Sequence, residues 1–335
     1  TSGACLHPRT KKGEDKLRPY ACYSNNKMIF KFKSSSTEQI VKIDPEVSSP
    51  ATGERRIASW LLFLTLVVGV LILWGGVVRL SGSGLSIPEW PLINGSLLPP
   101  LSDADWQKVY QTYYREVTNL TDPQASTEIP LSKFKVLFSI EYIHRFLASV
   151  VGIIFLAIFI LTVRTSAVWR YTKVLMISAV FLFLLQAVLG GIVVKKELQA
   201  ELVAIHLGLA FLLFGLLLWT ALKISKPAVA SSNKQSKLSL WAWITTMVVF
   251  IQVVSGGLMA GTKAGLILNT FPKMGDYLVP PISVLWSSIY ETPFHNLFQN
   301  QITIQFIHRF WAVVAVLLIL FLVFFSLRRP LSPRA

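Results

Sequence analysis

Long apolar runs alternate with polar segments from about residue 58 to the end of the chain. A membrane-spanning helix needs about 20 consecutive, predominantly apolar residues. Six runs meet that length, near 58–79, 136–163, 172–194, 202–222, 238–260 and 303–327, and a long loop, 80–135, follows the first. The pattern therefore predicts an all-α, polytopic membrane helix bundle with six transmembrane helices. Residues 1–57 are polar, basic and rich in Ser, which is typical of a transit peptide and linker.

An internal repeat divides this bundle into two units. Six positions return at one constant offset, and the pairs are Trp60 and Trp241, Gly75 and Gly256, Gly76 and Gly257, Gly84 and Gly265, Leu85 and Leu266, and Pro91 and Pro272. We interpret 58–223 as a first four-helix unit, 224–237 as a polar basic linker and 238–335 as an incomplete second unit with two helices. Glycines kept at a fixed offset suggest backbone positions that need close approach or a positive φ.

The charge distribution is that of a membrane protein and argues against nucleic-acid binding. The chain is 53% hydrophobic and 15% charged, and the Lys and Arg residues behind its net charge of +15 lie in the N-terminal arm and the loops. Bases are concentrated at both termini and after the second and fourth helices, so the positive-inside rule places these segments in the negative compartment. On this topology His144, His206 and His308 all lie near the opposite membrane surface.

A duplicated motif opens the second and sixth helices. The string Glu141-Tyr142-Ile143-His144-Arg145 returns as Gln305-Phe306-Ile307-His308-Arg309. Residues three apart share one face of a helix, and an ionisable pair within a membrane indicates a functional site. The change from Glu141 to Gln305 suggests one site that reacts and one that only holds a group or relays.

Three histidines at one depth favour metal ligation over three unrelated core positions. A zinc site would need Cys or carboxylate partners, and the sequence offers no Cys/His cluster. Haem iron takes axial imidazoles from facing helices of an apolar bundle, so His144 and His206 are the expected pair in the first unit. His308 would pair with a residue on a further helix of the second unit.

Four charged residues near these histidines are candidates for other roles. Arg79, Arg145 and Arg309 are placed at the outer ends of their helices, where they would bind haem propionates through their planar forks. The alternative is that they anchor the helix ends at the lipid headgroups. Glu141 is the candidate catalytic residue, since a carboxylate one turn from an axial ligand can accept or deliver protons during an oxidation. Its alternative role is a hydrogen bond to a neighbouring helix.

Taken together, these strings resemble the haem A synthase family in its mitochondrial form. The resemblance covers about residues 58–327. It is carried by the strings Gly75-Gly76-Val77-Val78-Arg79-Leu80-Ser81-Gly82-Ser83-Gly84-Leu85-Ser86, Glu141-Tyr142-Ile143-His144-Arg145, Ala264-Gly265-Leu266-Ile267-Leu268-Asn269-Thr270-Phe271-Pro272 and Gln305-Phe306-Ile307-His308-Arg309. It implies eight helices in two four-helix halves, of which six are expected in this sequence.

The same resemblance implies a haem-dependent oxidoreductase of the mitochondrial inner membrane, with its N-terminus on the matrix side. It would oxidise the C8 methyl of haem O to the formyl of haem A for cytochrome c oxidase assembly. Glu141, His144 and His206 would serve the substrate haem, and His308 would ligate a haem b cofactor. Implied partners are the enzyme that produces haem O, a ferredoxin-type electron donor and the lipid bilayer. Whether the chain forms a homo-oligomer is left open by the resemblance.

Two other functions remain open at the level of sequence. A non-catalytic b-type cytochrome would pass electrons between two haems and would not need Glu141 as a carboxylate. A six-helix carrier of the cell surface is favoured by two glycosylation sequons in the outward loop, Asn94-Gly95-Ser96 and Asn119-Leu120-Thr121. Cys5 and Cys22 are expected to be free thiols in a reducing compartment.

Overall fold

A computed structural model describes residues 5–6, 20–24, 27–34, 37–42, 52–93, 95–96, 98–120, 129–225 and 237–328. The helices in chain order are α1 (Thr52–Ser81), α2 (Asp103–Leu120), α3 (Leu131–Arg164), α4 (Ser166–Lys195), α5 (Ala200–Ser225), α6 (Lys237–Thr262), α7 (Ile282–Leu285), α8 (Pro293–Phe298) and α9 (Gln301–Leu327). Six of them, α1, α3, α4, α5, α6 and α9, are long and apolar enough to cross a membrane. The predicted polytopic helix bundle is confirmed.

The membrane helices extend beyond the predicted apolar runs. α1 begins at Thr52 instead of about 58, and α4 begins at Ser166 instead of about 172. Polar residues end an apolar window without ending a helix, because their backbone groups still bond within it. Between α3 and α4 only Thr165 interrupts the helices, and its N–H bonds to the carbonyls of Leu161 and Thr162.

The segment 80–135 was predicted as a loop, and this was wrong for its central part. α2 occupies it, and its apolar positions Trp106, Val109, Tyr110 and Tyr113 follow a helical spacing. They pack against the first turns of α3 in a small cluster outside the membrane bundle, where Phe134 is fully buried. The prediction failed because a search for long apolar runs overlooks a short amphipathic helix.

The first unit is a closed four-helix bundle. α1 packs on α3 and α5, and α4 packs on the same two helices. Lipid is as apolar as these side chains, so tight packing rather than exclusion of water stabilises the helix contacts. The most buried members of the core come from all four helices and include Leu61, Leu64, Val151, Val168, Met176 and Leu217.

The second unit is joined to the first through α5. α6 packs on α5 and on α9. An added Cβ at Gly257 of α6 would lie 3.1 Å from the Cα of Ala204, and one at Gly261 would lie 2.7 Å from the Cα of Ala200. Small residues let two membrane helices approach this closely. The close approach predicted for the repeated glycines is therefore confirmed at Gly257, whereas an added Cβ at Gly76 would meet nothing within 4 Å.

Within the arm 1–57, the backbone forms a four-stranded antiparallel sheet ahead of α1. Its strands are β1 (Cys5–Leu6), β2 (Tyr20–Ser24), β3 (Lys27–Ser34) and β4 (Thr37–Lys42), in the order β1-β2-β3-β4. The register places Cys5 opposite Cys22. Most of the expected transit peptide, most of the linker 224–237, and one residue of each sequon, Asn94 and Thr121, lie outside the residues whose structure is described.

Candidate functional site

An arginine holds the loop that follows α1. Arg145 of α3 donates from Nη1 to the carbonyl of Glu89 at 2.6 Å and from Nη2 to the carbonyl of Ile87 at 2.5 Å. The loop then passes through the cis peptide Trp90–Pro91 and closes in a bridge between Ile93 and Ser96. Arg145 thereby fixes the loop against the mouth of the first unit.

The second unit repeats this clamp residue for residue. Arg309 of α9 donates from Nη1 to the carbonyl of Thr270 at 2.7 Å and from Nη2 to the carbonyl of Leu268 at 2.9 Å. These carbonyls stand at the repeat positions of Glu89 and Ile87. The following cis peptide, Phe271–Pro272, and the bridge between Met274 and Tyr277 also match. The sequence repeat is thus a repeat of three-dimensional structure.

Glu141 is buried beside the first clamp. Its Oε2 accepts a hydrogen bond from the backbone N–H of Ile87 at 3.0 Å, and its Oε1 accepts one from Arg145 at 2.6 Å. The Glu141 side chain is 4% exposed and the Arg145 side chain 18% exposed. A charge so poorly hydrated needs a partner with good geometry. The carboxylate is therefore held in one place by a cation and a backbone donor.

Gln305 takes the same position in the second unit with the opposite polarity. Its Nε2 donates to the carbonyl of Leu268 at 2.8 Å, where Glu141 accepts from the N–H of Ile87. Its Oε1 is buried without a hydrogen-bond partner among the described residues. An amide can hold the loop in this way, but it does not exchange a proton as a carboxylate does.

His144 and His206 face small residues near one end of the first unit. A Cβ added at Gly75 of α1 would lie 3.2 Å from His144 Nε2, and one at Gly190 of α4 would lie 3.5 Å from His206 Cε1. Nδ1 of His206 is buried and has no partner among the described residues, so this nitrogen is available to a ligand. Each of the two predicted ligands thus faces a glycine of a neighbouring helix, and their pairing on one haem stays a prediction.

Among the described residues, His308 has polar side chains next to its ring, and His144 does not. Ser255 Oγ lies 2.9 Å from His308 Nδ1 and also donates to the carbonyl of Gln252 at 2.9 Å. Gln252 Nε2 lies 3.2 Å from Nδ1 and 3.3 Å from Nε2 of the same ring, so polar groups of α6 surround both nitrogens. A Cβ added at Gly256 would lie 3.2 Å from the His308 ring, as at Gly75 beside His144.

Arg79 links the two units instead of holding its own loop. Its Nε donates to the carbonyl of Ala260 at 3.2 Å, and its Nη2 donates to the carbonyl of Gly261 at 2.5 Å. These carbonyls lie near the C-terminal end of α6, where unpaired oxygens and the helix dipole favour a cation. All three predicted arginines thus bind backbone carbonyls, and each keeps further N–H groups for another acceptor.

Each of the three histidines faces a glycine near the end of the preceding membrane helix. Gly75 of α1 lies beside His144, Gly190 of α4 beside His206 and Gly256 of α6 beside His308. Contact of Arg79 with Ala260 joins the matching ends of α1 and α6. The depth of the histidines in the membrane stays a prediction from the charge pattern.

Sequence reasoning missed three polar groups of the site. Gln252 and Ser255 replace Leu71 and Trp74 at the same repeat positions, and such apolar-to-polar changes inside a membrane helix are a usable signal. Ser86, a residue that is 1% exposed, directly precedes the segment that Arg145 holds, and its hydroxyl has no partner among the described residues. Nothing in the sequence distinguishes Ser86 from its neighbours Ser81 and Ser83.

Fold and site together define a class of protein. The chain is a multi-pass membrane protein with a duplicated helix–loop–helix clamp and imidazoles that face glycines of the preceding membrane helices. In the described part of the chain no three His, Cys, Asp or Glu residues gather as a metal cluster.

The chain belongs to the cytochrome oxidase assembly protein family, whose model matches residues 58–335. It is similar to the Heme A synthase of Nitrosospira multiformis, with 36% identity over 79% of this chain and 75% of the relative. It is also similar to the Heme A synthases of Nitrosomonas eutropha, with 35% identity over 76% of this chain and 71% of the relative, and of Bradyrhizobium diazoefficiens, with 32% identity over 79% and 73%. No solved structure matches the chain significantly.

Proposed function

We propose that this chain is a haem A synthase, which oxidises the C8 methyl group of haem O to the formyl group of haem A for cytochrome c oxidase. The family and the similar Heme A synthases support the activity. The observation that carries the proposal is Glu141, a buried carboxylate fixed by two donors one turn from His144. The family membership also favours this enzyme over a cell-surface carrier.

His144 and His206 are the proposed ligands of the substrate haem. Gly75 and Gly190 keep the space beside both rings free of a Cβ, and the free Nδ1 of His206 fits a ligand nitrogen. Apolar helices on either side suit a flat macrocycle. The remaining N–H groups of Arg145 fit a propionate, since guanidinium binds carboxylates well.

Glu141 is the proposed proton acceptor. Conversion of a methyl into a formyl group adds one oxygen atom and removes two hydrogen atoms, so protons must be accepted and delivered at the reacting group. A fixed carboxylate can take up such a proton without reorganising, because Ile87 N–H and Arg145 already hold both of its oxygens. The Arg145 charge keeps this carboxylate ready to accept.

His308 is the proposed ligand of a haem b cofactor in the second unit. Its Nδ1 is oriented by Ser255, and Gly256 leaves room beside the ring. Haem b, when bound there, would supply one-electron transfer from a ferredoxin-type donor. Gln305 holds the adjacent loop without titrating, which suits a site that carries electrons only.

The proposed location is the mitochondrial inner membrane, with the N-terminus in the matrix and the histidines near the opposite surface. The basic, Ser-rich arm 1–57 and the bases after the second and fourth membrane helices support it. The enzyme that produces haem O is the proposed source of the substrate. Cofractionation with inner-membrane markers is expected, and recovery with the plasma membrane would contradict this location.

The test of the activity is haem A formation in a bacterial strain that makes haem O and lacks its own haem A synthase. Cells expressing the chain are extracted, and the haems are separated by chromatography. We expect haem A with the chain and only haem O with an empty vector. Haem b bound to the purified chain, without haem A in the cells, would instead favour a non-catalytic b-type cytochrome, which the polar setting of His308 also fits.

A valine at Gly75 should lower haem occupancy in the first unit. The added side chain would push on His144, whose Nε2 lies 3.2 Å from the position of a Cβ. Overpacking costs about 1–3 kcal/mol, so bound substrate haem should fall by about tenfold. Gly76→Val is the matched control, because a Cβ there meets nothing within 4 Å. Equal haem content in the two purified variants would contradict the placement of His144 as a ligand.

A further inference from the structure

The segment 87–93 contacts three different helices around the first site. The backbone of Ile87 binds Glu141 and Arg145 of α3 through its N–H and its carbonyl. The Ile93 side chain is buried in the cluster formed by α2 and the start of α3. The residue between these two attachments, Trp90, reaches a third helix, α4.

The Trp90 ring lies directly on the backbone of Gly191. A Cβ added at Gly191 would lie 2.8 Å from Cδ2 and Cε3 of Trp90, which real Cβ atoms do not allow. Gly191 is buried, and Trp90 itself is 41% exposed. The contact therefore depends on the absence of a side chain at Gly191.

This contact lies next to the imidazole of the first site. Gly190, the neighbour of Gly191 in α4, faces His206, with 3.5 Å between its would-be Cβ and the ring. One turn earlier, Gln186 Nε2 donates to the backbone carbonyl of His206 at 2.9 Å. Trp90 thus closes the loop onto the part of α4 that positions His206.

The second unit keeps the clamp at the matching loop. Arg309 binds the carbonyls of Leu268 and Thr270 there. Phe271 stands at the repeat position of Trp90 and is 88% exposed, and the described residues of the second unit include no counterpart of α4 against which it could pack. In the first unit the loop is held by Arg145 and, through Trp90, packs against α4.

We propose that Trp90 is a positioning residue that closes the first site and retains the half-oxidised substrate until the second oxidation. This proposal rests on the haem A synthase function. With dioxygen as the oxidant, the methyl group becomes a hydroxymethyl group when one oxygen atom is inserted into a C–H bond and the other leaves as water, which consumes two protons and two electrons from the ferredoxin-type donor. A second insertion of the same kind gives a geminal diol, which becomes the formyl group by losing water. Early release between these steps yields the alcohol as a free product.

The experiment measures the ratio of the hydroxymethyl haem to haem A in extracts of the bacterial strain described above. Trp90→Ala and Gly191→Ala remove the contact from opposite sides. Gly191→Ala is compatible with the helix, because Ala is the better helix former. Phe271→Ala is the matched control in the second unit. We expect the ratio to rise by about tenfold in both test variants, equivalent to about 1.4 kcal/mol of lost retention, and to stay at the wild-type value in the control.

The outcomes separate this proposal from the function on which it rests. A purely structural role of Trp90 would lower both products together and leave their ratio unchanged, and that result would overturn the proposal while haem A synthesis stands. The same ratio in Gly191→Ala as in the wild type would also overturn it, even where Trp90→Ala fails to fold. A wild-type chain that forms neither product would overturn the haem A synthase function itself.

Discussion

Replacing Glu141 with Gln is expected to abolish haem A formation while the chain still binds haem O. Gln occupies the same volume and can keep a hydrogen bond to the loop, as Gln305 does in the second unit. Gln cannot take up a proton, so the variant loses the proposed proton acceptor but keeps the site that binds haem O. Loss of a general base costs about 10²–10⁴-fold in rate. Chromatography of extracted haems measures the product, and the haem content of the purified variant measures binding.

The matched control for this change is Gln305→Glu. It introduces a carboxylate at the same position of the second unit, where no methyl oxidation is proposed, so haem A formation should not increase. Full haem A formation in Glu141→Gln would show that Glu141 is not the proton acceptor of the reaction. Loss of bound haem O together with product would instead mean that Glu141 maintains the shape of the site.

Replacing Arg145 with Ala is expected to destabilise the protein more than the equivalent change at Arg309. Arg145→Ala releases two loop carbonyls and Arg309→Ala releases three, but only Arg145→Ala also leaves a poorly hydrated carboxylate, Glu141, without its cation. Breaking a buried ion pair costs about 3–5 kcal/mol. The partner position in the second unit carries the neutral Gln305, so that additional cost is absent. Thermal unfolding of the purified variants in one detergent compares the two.

A double variant tests whether the unpaired charge of Glu141 causes the larger loss of stability in Arg145→Ala. Arg145→Ala combined with Glu141→Gln should unfold at a higher temperature than Arg145→Ala alone, because the unpaired charge is gone. No such rescue is expected from Gln305→Glu in the Arg309→Ala background. Equal losses for Arg145→Ala and Arg309→Ala, without rescue, would show that the clamp acts only through its backbone carbonyls.

Much of the fold could be predicted because a helix that spans a membrane requires a long apolar run. Each of the six membrane helices is visible as a long apolar run, and the repeated glycines mark the two units in the sequence alone. The pairing of His144 with His206 stays a prediction from helix order and charge, which place both residues at one depth. α2 escaped prediction because its signal is a short amphipathic period and not an apolar run.

The details of the site could not be predicted, because they depend on which groups meet after folding. Nothing in the sequence says that Arg145 binds the carbonyls of Ile87 and Glu89, since any residue offers the same backbone atoms. The contact of Trp90 with Gly191 joins residues from a loop and a distant helix. Conversely, Arg79 was assigned by its position at a helix end, and only the structure places it against the other unit.

The position of Arg79 bears on whether the two repeat units could have formed the same contact as separate, identical chains. Ala260, whose carbonyl Arg79 binds, is the repeat counterpart of Arg79 itself, and contact between equivalent positions arises at a two-fold axis of symmetry. A dimer of identical copies would bring two guanidinium groups together at that axis, where like charges repel. When one polypeptide carries both copies, the first copy can keep the arginine, and the second can present backbone carbonyls at the end of its helix. The asymmetric contact therefore needs a single chain that carries two diverged copies.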